Sequence, residues 1–176
     1  EDKSEEVNVS AVGLKSLPER ALVKHTNHLQ RLFAASNQIV HLPPTIATLL
    51  PNLRVLHLSG NRIGWLPPLI GLKQLTHLFL CENNIKQWPA DLPPSLVTLD
   101  LSWNQISTVT ADVGRLINLE RLSLWQNDVM VISPEISRCV KLKSVWLDGN
   151  KVKTLPFELT SMPLLEDIQV GDNPLE

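Results

Sequence analysis

The chain contains no long apolar run, although 43% of its 176 residues are hydrophobic. No stretch approaches the 18 or more consecutive apolar residues that a membrane-spanning helix needs, so we predict no membrane insertion. Residues 1–6 are mainly acidic, whereas a secretory signal peptide begins with basic residues. We therefore expect a soluble chain.

An excess of charge of either sign is also missing. The chain has 16 Lys and Arg against 18 Asp and Glu, which gives a formal net charge of −2 and a pI near 6.2. Nucleic acids and anionic membranes are normally bound through a basic patch. The composition therefore predicts neither of them as a partner.

Cysteine and aromatic residues are few. Cys81 and Cys139 are the only cysteines, and the aromatic residues are five tryptophans and three phenylalanines, with no tyrosine. Two cysteines cannot supply the framework of several disulfides on which small secreted domains rely.

What the chain does contain is a repeated pattern. Residues 53–67 read L-x-x-L-x-L-x-x-N-x-I-x-x-L-P, and further copies start at Leu29, Leu75, Leu96, Leu119 and Leu142. A degenerate copy with Val12 at the asparagine position precedes them, and a cut-off copy starts at Leu165. Successive starts are 21 to 24 residues apart. Seven copies share an asparagine in register: Asn37, Asn61, Asn83, Asn104, Asn127, Asn150 and Asn173.

This pattern and its period resemble those of leucine-rich-repeat proteins, over about residues 7–175. The resemblance implies an α/β fold, namely a single right-handed solenoid with a concave parallel β-sheet and a convex side of loops, 3₁₀ and short α turns. We predict one domain, residues 1–176. Within it, 1–28 form a degenerate N-terminal capping repeat, 29–164 six full repeats and 165–176 a truncated repeat.

Each repeat carries its own local predictions. The x-x-L-x-L segment alternates and predicts a short strand with inward leucines. The asparagine amide can donate to and accept from turn backbone, so the seven asparagines should form a structural ladder. After the asparagine, the chain runs back along the convex side in a segment that we call the return leg. The three-residue spacing of apolar residues after each proline predicts a 3₁₀ or α turn there. Pro89, Pro93 and Pro94 instead favour an extended return leg in their repeat. The predicted inward residues of the return legs are Ile46, Leu49, Ile70, Leu72, Val113, Leu116, Ile136, Cys139, Leu159 and Met162.

The L-P-x-x-I-x-x-L ending resembles intracellular repeats of the Ras-group, scaffold and Roco types, and residues 90–96 alone resemble the shorter repeats of bacterial effectors. Extracellular family members typically carry cysteine-clamped caps, whereas Cys81 and Cys139 lie at non-equivalent positions of different repeats. We therefore predict a cytoplasmic location. Because the last copy has no cap, we expect the chain to be part of a larger protein or to make a contact through its uncapped C-terminal edge.

Residues between the strand leucines should face the concave side. Five of the eight aromatic residues fall there, whereas Trp88 replaces a core leucine. Exposed rings in a row predict an interaction site, and the alternative is that the rings only cover the sheet. The predicted partner-binding residues are Phe33, His57, His77, Phe79, Asp100, Trp103, Arg121, Trp125, Trp146 and Asp148.

Two further patterns on this face have alternative interpretations. Asp100, Asp148, Asp167 and Asp172 lie late in the array, which indicates either a preference for a basic partner segment or an ordinary solvated surface. His57, His77 and Cys81 form the only grouping that suggests chemistry, but the diagonal spacing of about 7 to 8 Å between strands keeps them out of contact. We predict no catalytic residue, no metal and no cofactor.

The resemblance thus implies a non-catalytic protein–protein interaction module that binds its partner on the concave face. We expect it to be part of a larger cytosolic signalling or scaffold protein. The alternative is the targeting domain of an enzyme, such as a kinase, GTPase or ubiquitin ligase, including a bacterial effector, whose catalytic part lies outside this chain. An extracellular receptor fragment is disfavoured by the missing cysteine caps.

Overall fold

The computed structural model describes residues 5–176, so Glu1 to Ser4 of the predicted acidic start and capping repeat lie outside the described residues. Its main feature is a parallel sheet to which each repeat contributes one three-residue strand in chain order. The predicted leucine-rich-repeat solenoid is confirmed, whereas the boundaries predicted for its capping, full and truncated repeats stay a prediction. The strands of this sheet are β1 (Glu6–Asn8), β2 (Arg31–Phe33), β3 (Val55–His57), β4 (His77–Phe79), β5 (Thr98–Asp100), β7 (Arg121–Ser123), β9 (Ser144–Trp146) and β10 (Asp167–Gln169).

The core lies directly behind this sheet. The middle residue of each strand from β2 to β9 is at most 1% exposed, because the pleat turns it away from the concave face. The middle residue of the last strand, Ile168, is 38% exposed. The middle residues of the eight strands are Val7, Leu32, Leu56, Leu78, Leu99, Leu122, Val145 and Ile168.

The asparagines connect neighbouring repeats. Asn104 shows the pattern: its Nδ2 donates to the carbonyl oxygens of Leu101 at 3.0 Å and of Leu80 in the preceding repeat at 2.9 Å. Its Oδ1 accepts from the backbone N–H of Ile85, also in the preceding repeat, at 2.9 Å. The remaining six asparagines make equivalent bonds. Each asparagine therefore bonds to the turn of the preceding repeat as well as to its own.

The first copy has Val12 at the asparagine position, yet its turn is still bonded by an asparagine. The turn of that copy is held by Asn37 of the next repeat, which accepts from Leu14 N at 2.9 Å and donates to Val9 O at 2.8 Å.

The return legs contain short helices, as predicted. They are α1 (Glu19–Leu22), α2 (Ile46–Leu49) and the 3₁₀ turns Val23–His25, Ala111–Arg115, Pro134–Arg138 and Phe157–Ser161. The return leg with Pro89, Pro93 and Pro94 is extended, as predicted, and the one with Pro67 and Pro68 also lacks a helix. Within residues 5–176, none of the helices has the length and apolarity needed to cross a bilayer.

The prediction of an inward, buried side chain is wrong for two residues of the return legs. Leu49 is only half-buried and Leu50 is fully buried instead, because α2 is an α turn in which the residue four after Ile46 returns to the same face. Ile70 is 47% exposed and Leu69 is buried, since the extended backbone at Pro67 and Pro68 shifts the inward position by one residue. The three-residue spacing holds where the leg forms a 3₁₀ turn, with Val113 and Leu116, Ile136 and Cys139, and Leu159 and Met162 all buried.

A second, two-stranded parallel sheet was not predicted. It pairs β6 (Thr108–Val109) with β8 (Val131–Ile132), and Ser133 N donates to Val109 O at 2.9 Å. The sheet does not extend into the following repeat, because the position equivalent to Ser133 is Pro156 there, and proline has no N–H to donate.

Candidate functional site

The strand register aligns the residues between the strand leucines in columns across the concave face, the side on which they were predicted to lie. The first and third residues of each strand face away from the core, and each pairs with its equivalent in the next strand. Of the predicted partner-binding residues, His77 and Arg121 occupy first positions, whereas Phe33, His57, Phe79, Asp100 and Trp146 occupy third positions. Trp125 and Asp148 lie two residues after their strands' third positions, and Trp103 lies in the turn after β5.

The early predicted residues come together as an aromatic ribbon, which we define as Phe33, His57, His77 and Phe79. The ring centroid of His57 lies 6.1 Å from that of Phe33 and 5.2 Å from that of Phe79, and the His77 and Phe79 rings are 6.3 Å apart. All four side chains are half-buried. The rings therefore shield one another and the sheet beneath them.

Burial within this ribbon lowers the pKa of His57 below its ordinary value of 6.5, and the charge of Asp100 opposes the shift only partly. A lowered pKa means that the unfolded chain takes up the proton more readily than the folded one. The contribution of His57 to stability is thus fully present above pH 6.5 and is lost as the pH falls through the folded-state pKa.

We therefore expect acidification from about pH 7 to pH 5 to destabilise the protein, and we expect His57→Gln to reduce this loss. Denaturant titrations of both proteins across this range measure the effect, and an NMR titration of the His57 ring measures its pKa directly. A His57 pKa at or above 6.5 in the folded protein would contradict the expectation.

Cys81 is a poor nucleophile in this setting. Burial, Asp100 and Glu82 together raise the pKa of its thiol to about 11, so the reactive thiolate is disfavoured. Cys139 is buried and its pKa is likewise raised to about 11 by burial. In the part of the chain that the structure describes, no group of three or more His, Cys, Asp or Glu side chains is arranged to hold a metal ion.

The late tryptophans do not form the uniform row of exposed rings that we predicted. Trp103 and Trp125 are 48% and 44% exposed and meet edge to face, with ring centroids 5.6 Å apart. Trp146 is only half-buried rather than exposed, because its Nε1 donates to Asp167 Oδ2 at 2.7 Å and this bond holds the ring against the next strand. The prediction of an exposed Trp146 is therefore wrong.

Trp103 reaches Trp125 because its backbone is left-handed, with φ of 54°. The residue before each ladder asparagine has positive φ in every repeat, a conformation that is unfavourable for a side chain as bulky as tryptophan. The sequence does carry a signal of this turn, because Gly60 and Gly149 occupy the same position. The residues with positive φ are Ser36, Gly60, Glu82, Trp103, Gln126, Gly149 and Asp172.

Beside Trp125 the concave face opens into a recess of about 350 Å³, which we call the tryptophan recess. It combines aromatic walls with carboxylate and other polar groups. The residues that line it are Ser123, Trp125, Trp146, Asp148, Gln169 and Asp172. The sequence identified Trp125, Trp146 and Asp148 as partner-binding residues and Asp172 only as one of the acidic residues late in the array. It gave no indication of Ser123 and Gln169, whose residue types carry no particular signal.

The polar groups of the recess are held in place from several repeats. Asp148 Oδ1 accepts from Gly171 N at 3.0 Å, and Gln169 Nε2 lies 3.4 Å from both carboxylate oxygens of Asp167. Ser123 is buried, and its hydroxyl lies 2.5 Å from that of Ser102. The recess is thus a preorganised surface feature with an acidic rim.

The remaining predicted residues lie apart from this recess. Asp100 is half-buried, and its Oδ1 accepts from Ser102 N at 3.0 Å. Arg121 is exposed at the first position of β7, and among the described residues it has no ion-pair partner. The structure therefore divides the predicted surface into the early aromatic ribbon and the late tryptophan recess.

Comparison with known proteins identifies the repeat. The protein-family model described as "Leucine Rich repeats (2 copies)" matches residues 51–94, and the family model described as "Leucine Rich repeat" matches residues 93–109. Toll-like receptor 9 of Sus scrofa is 38% identical over 118 residues, which cover 61% of this chain. The matched region is only 11% of that receptor, so this chain corresponds to a small part of its relative.

Solved structures show the same architecture. A leucine-rich-repeat protein of Leptospira interrogans superposes with a TM-score of 0.91 at 28% identity, covering 97% of this chain and 43% of that one. The plant peptide hormone receptor RGFR1, solved in complex with RGF2, superposes with a TM-score of 0.82 at 28% identity. The similarity to RGFR1 covers 96% of this chain and 28% of the receptor.

Proposed function

Because this chain is a leucine-rich-repeat protein, we propose that it is a non-catalytic module that binds a protein partner on its concave face. Leucine-rich repeats generally serve as protein–protein interaction modules, and the similar plant receptor was solved with its peptide partner. The partner itself is not identified by these likenesses.

The pair of exposed tryptophans is the observation that carries the proposal. Trp103 and Trp125 place two large rings in solvent at 48% and 44% exposure, and Trp103 does so from a left-handed backbone that disfavours its side chain. Exposed tryptophans in contact with each other are typical anchors of protein interfaces. A residue in an unfavourable conformation is often retained for function.

We further propose that this module works in a reducing compartment, most simply the cytosol, as part of a larger signalling or scaffold protein. Cys81 and Cys139 are both free thiols, which fits such a compartment. The chain also corresponds to only 11% to 43% of the relative and the Leptospira structure described above. Both features support the proposal without identifying the remainder of the protein.

Trp125→Ala is expected to weaken partner binding by about 2 kcal/mol or more, while the melting temperature changes little, because the ring is exposed and lies outside the core. The partner is first captured from cell extract by cross-linking and identified, and its affinity for the parent and the variant is then measured by calorimetry.

Trp65→Ala provides a matched control. Trp65 is also a tryptophan, is 52% exposed, and lies in a loop outside the sheet. We expect this control to bind like the parent. An unchanged affinity of Trp125→Ala would show that the concave tryptophans only cover the sheet. Equal losses of affinity in both variants would show that binding is not specific to the concave face.

A further inference from the structure

We propose that the tryptophan recess binds a guanidinium group, namely an arginine side chain that the protein partner presents. This inference rests on the proposed function, because it specifies the chemistry of the partner at one place on the concave face. It follows from three properties of the recess: its aromatic walls, its unpaired negative charge and its fixed geometry.

The aromatic walls come from two different repeats. Trp125 and Trp146 both line the recess of about 350 Å³. An indole ring attracts a cation to its face more strongly than the other aromatic side chains do, and guanidinium groups stack on such rings. A cation that enters between these two residues therefore gains contact with aromatic surface as well as charge.

The charge of the recess has a single sign. Asp148 and Asp172 line it, and no lysine, arginine or histidine does so. Throughout residues 5–176, neither of these carboxylates takes part in an ion pair. Two uncompensated carboxylates beside low-dielectric aromatic walls favour the entry of a cation over that of an anion or an apolar group.

The geometry is fixed before any partner arrives. The indole N–H of Trp146 donates to Asp167, Trp125 packs edge to face against Trp103, and Asp148 accepts from the backbone N–H of Gly171. Preorganised side chains lose little conformational entropy on binding, which favours affinity. A third carboxylate, that of Asp167, accepts the hydrogen bond from Trp146 and is not among the lining residues.

A guanidinium group fits these properties better than an ammonium group. It is planar, less strongly hydrated and able to donate two parallel hydrogen bonds to a carboxylate, whereas the lysine ammonium is a compact and strongly hydrated charge. The Ser123 hydroxyl and the Gln169 side chain add further acceptors to the lining. The recess is therefore suited to the five N–H donors of arginine.

The test uses the whole chain and three short acetylated and amidated peptides, glycine–X–glycine, in which X is arginine, citrulline or lysine. Citrulline has the shape of arginine without its charge. We follow the indole N–H signals of the five tryptophans by NMR, assigned through single Trp→Phe variants. We expect the arginine peptide to shift the Trp125 and Trp146 signals saturably, with an affinity at least about ten-fold above those of the other two peptides.

Two variants remove the charge and keep the shape. Asp148→Asn retains an oxygen that can accept from Gly171 N–H, and Asp172→Asn makes the same change at the other carboxylate. Each is expected to weaken arginine-peptide binding by about ten-fold. Asp112→Asn serves as the control, because Asp112 lies outside the recess in the 3₁₀ turn Ala111–Arg115, and the substitution changes the net charge equally.

Several outcomes would overturn the inference. They are equal binding of the citrulline peptide, tighter binding of the lysine peptide, shifts confined to other tryptophans, no saturable binding, or equal effects of Asp112→Asn and Asp148→Asn. The captured partner separates this inference from the proposed function. If Trp125→Ala weakens partner binding and Asp148→Asn does not, the concave interface stands and the arginine subsite is wrong; if neither does, both are wrong.

Discussion

Trp88→Ala is expected to destabilise the protein by about 3 to 5 kcal/mol, the cost of deleting a large buried aromatic side chain. Trp88 is only 6% exposed and occupies the position that Leu42 and Leu66 hold in the two preceding repeats. The return leg that follows it is extended and contributes no helical turn. Removing the indole ring therefore leaves a cavity in the core.

Denaturant unfolding followed by circular dichroism measures this loss, since tryptophan fluorescence itself changes with the substitution. Trp88→Leu restores the residue type of the two preceding repeats and should cost less than the alanine variant, because it leaves a smaller cavity. Trp65→Ala removes a tryptophan of 52% exposure and should be close to neutral. A Trp88→Ala protein that unfolds like the parent would show that this ring does not support the core.

Asn104→Ala is expected to have the second large effect. Asn104 is buried, and its side chain makes four hydrogen bonds, to Leu80 O, Leu101 O, Ser102 O and Ile85 N, at 2.9 to 3.1 Å. Alanine leaves these backbone groups without that partner, at a cost of about 1 to 3 kcal/mol for each group that stays buried and unsatisfied.

The position of the damage is as informative as its size. Because Asn104 accepts from Ile85 in the preceding repeat, the amide of Ile85 should exchange with solvent much faster in the variant, as hydrogen exchange measured by NMR will show. Asn84→Ala is the control, since Asn84 is exposed and lies one residue after a ladder position. If both variants melt like the parent, the ladder does not stabilise the array.

The candidate surface was only partly predictable. The alternation of the strands placed Phe33, His57 and Phe79 in one column, and the register confirms that column. The contacts among the late tryptophans depend on backbone and side-chain torsions that alternation does not encode. Trp103 turns toward Trp125 because of a left-handed residue, and Trp146 is held down by Asp167 from the next repeat.

The sequence by itself determined the period of the repeat, the strand residues that face the core and the residues that share the concave face. It could do so because an apolar residue at every second strand position, and an asparagine at a fixed distance after it, leave one register in which all copies bury their leucines and satisfy their turns. This is why the solenoid, the in-register sheet and the buried position of Trp88 could be predicted.

Only the tertiary structure decided the features that depend on how one repeat meets the next. The shift from Leu49 to Leu50 follows from an α turn where a 3₁₀ turn would also fit. The pairing of β6 with β8 uses the backbone N–H of Ser133, which donates to Val109 in the preceding repeat. The tryptophan recess takes its residues from three successive repeats. Its shape is set by hydrogen bonds and ring contacts between side chains of different repeats, which form only when the repeats stack.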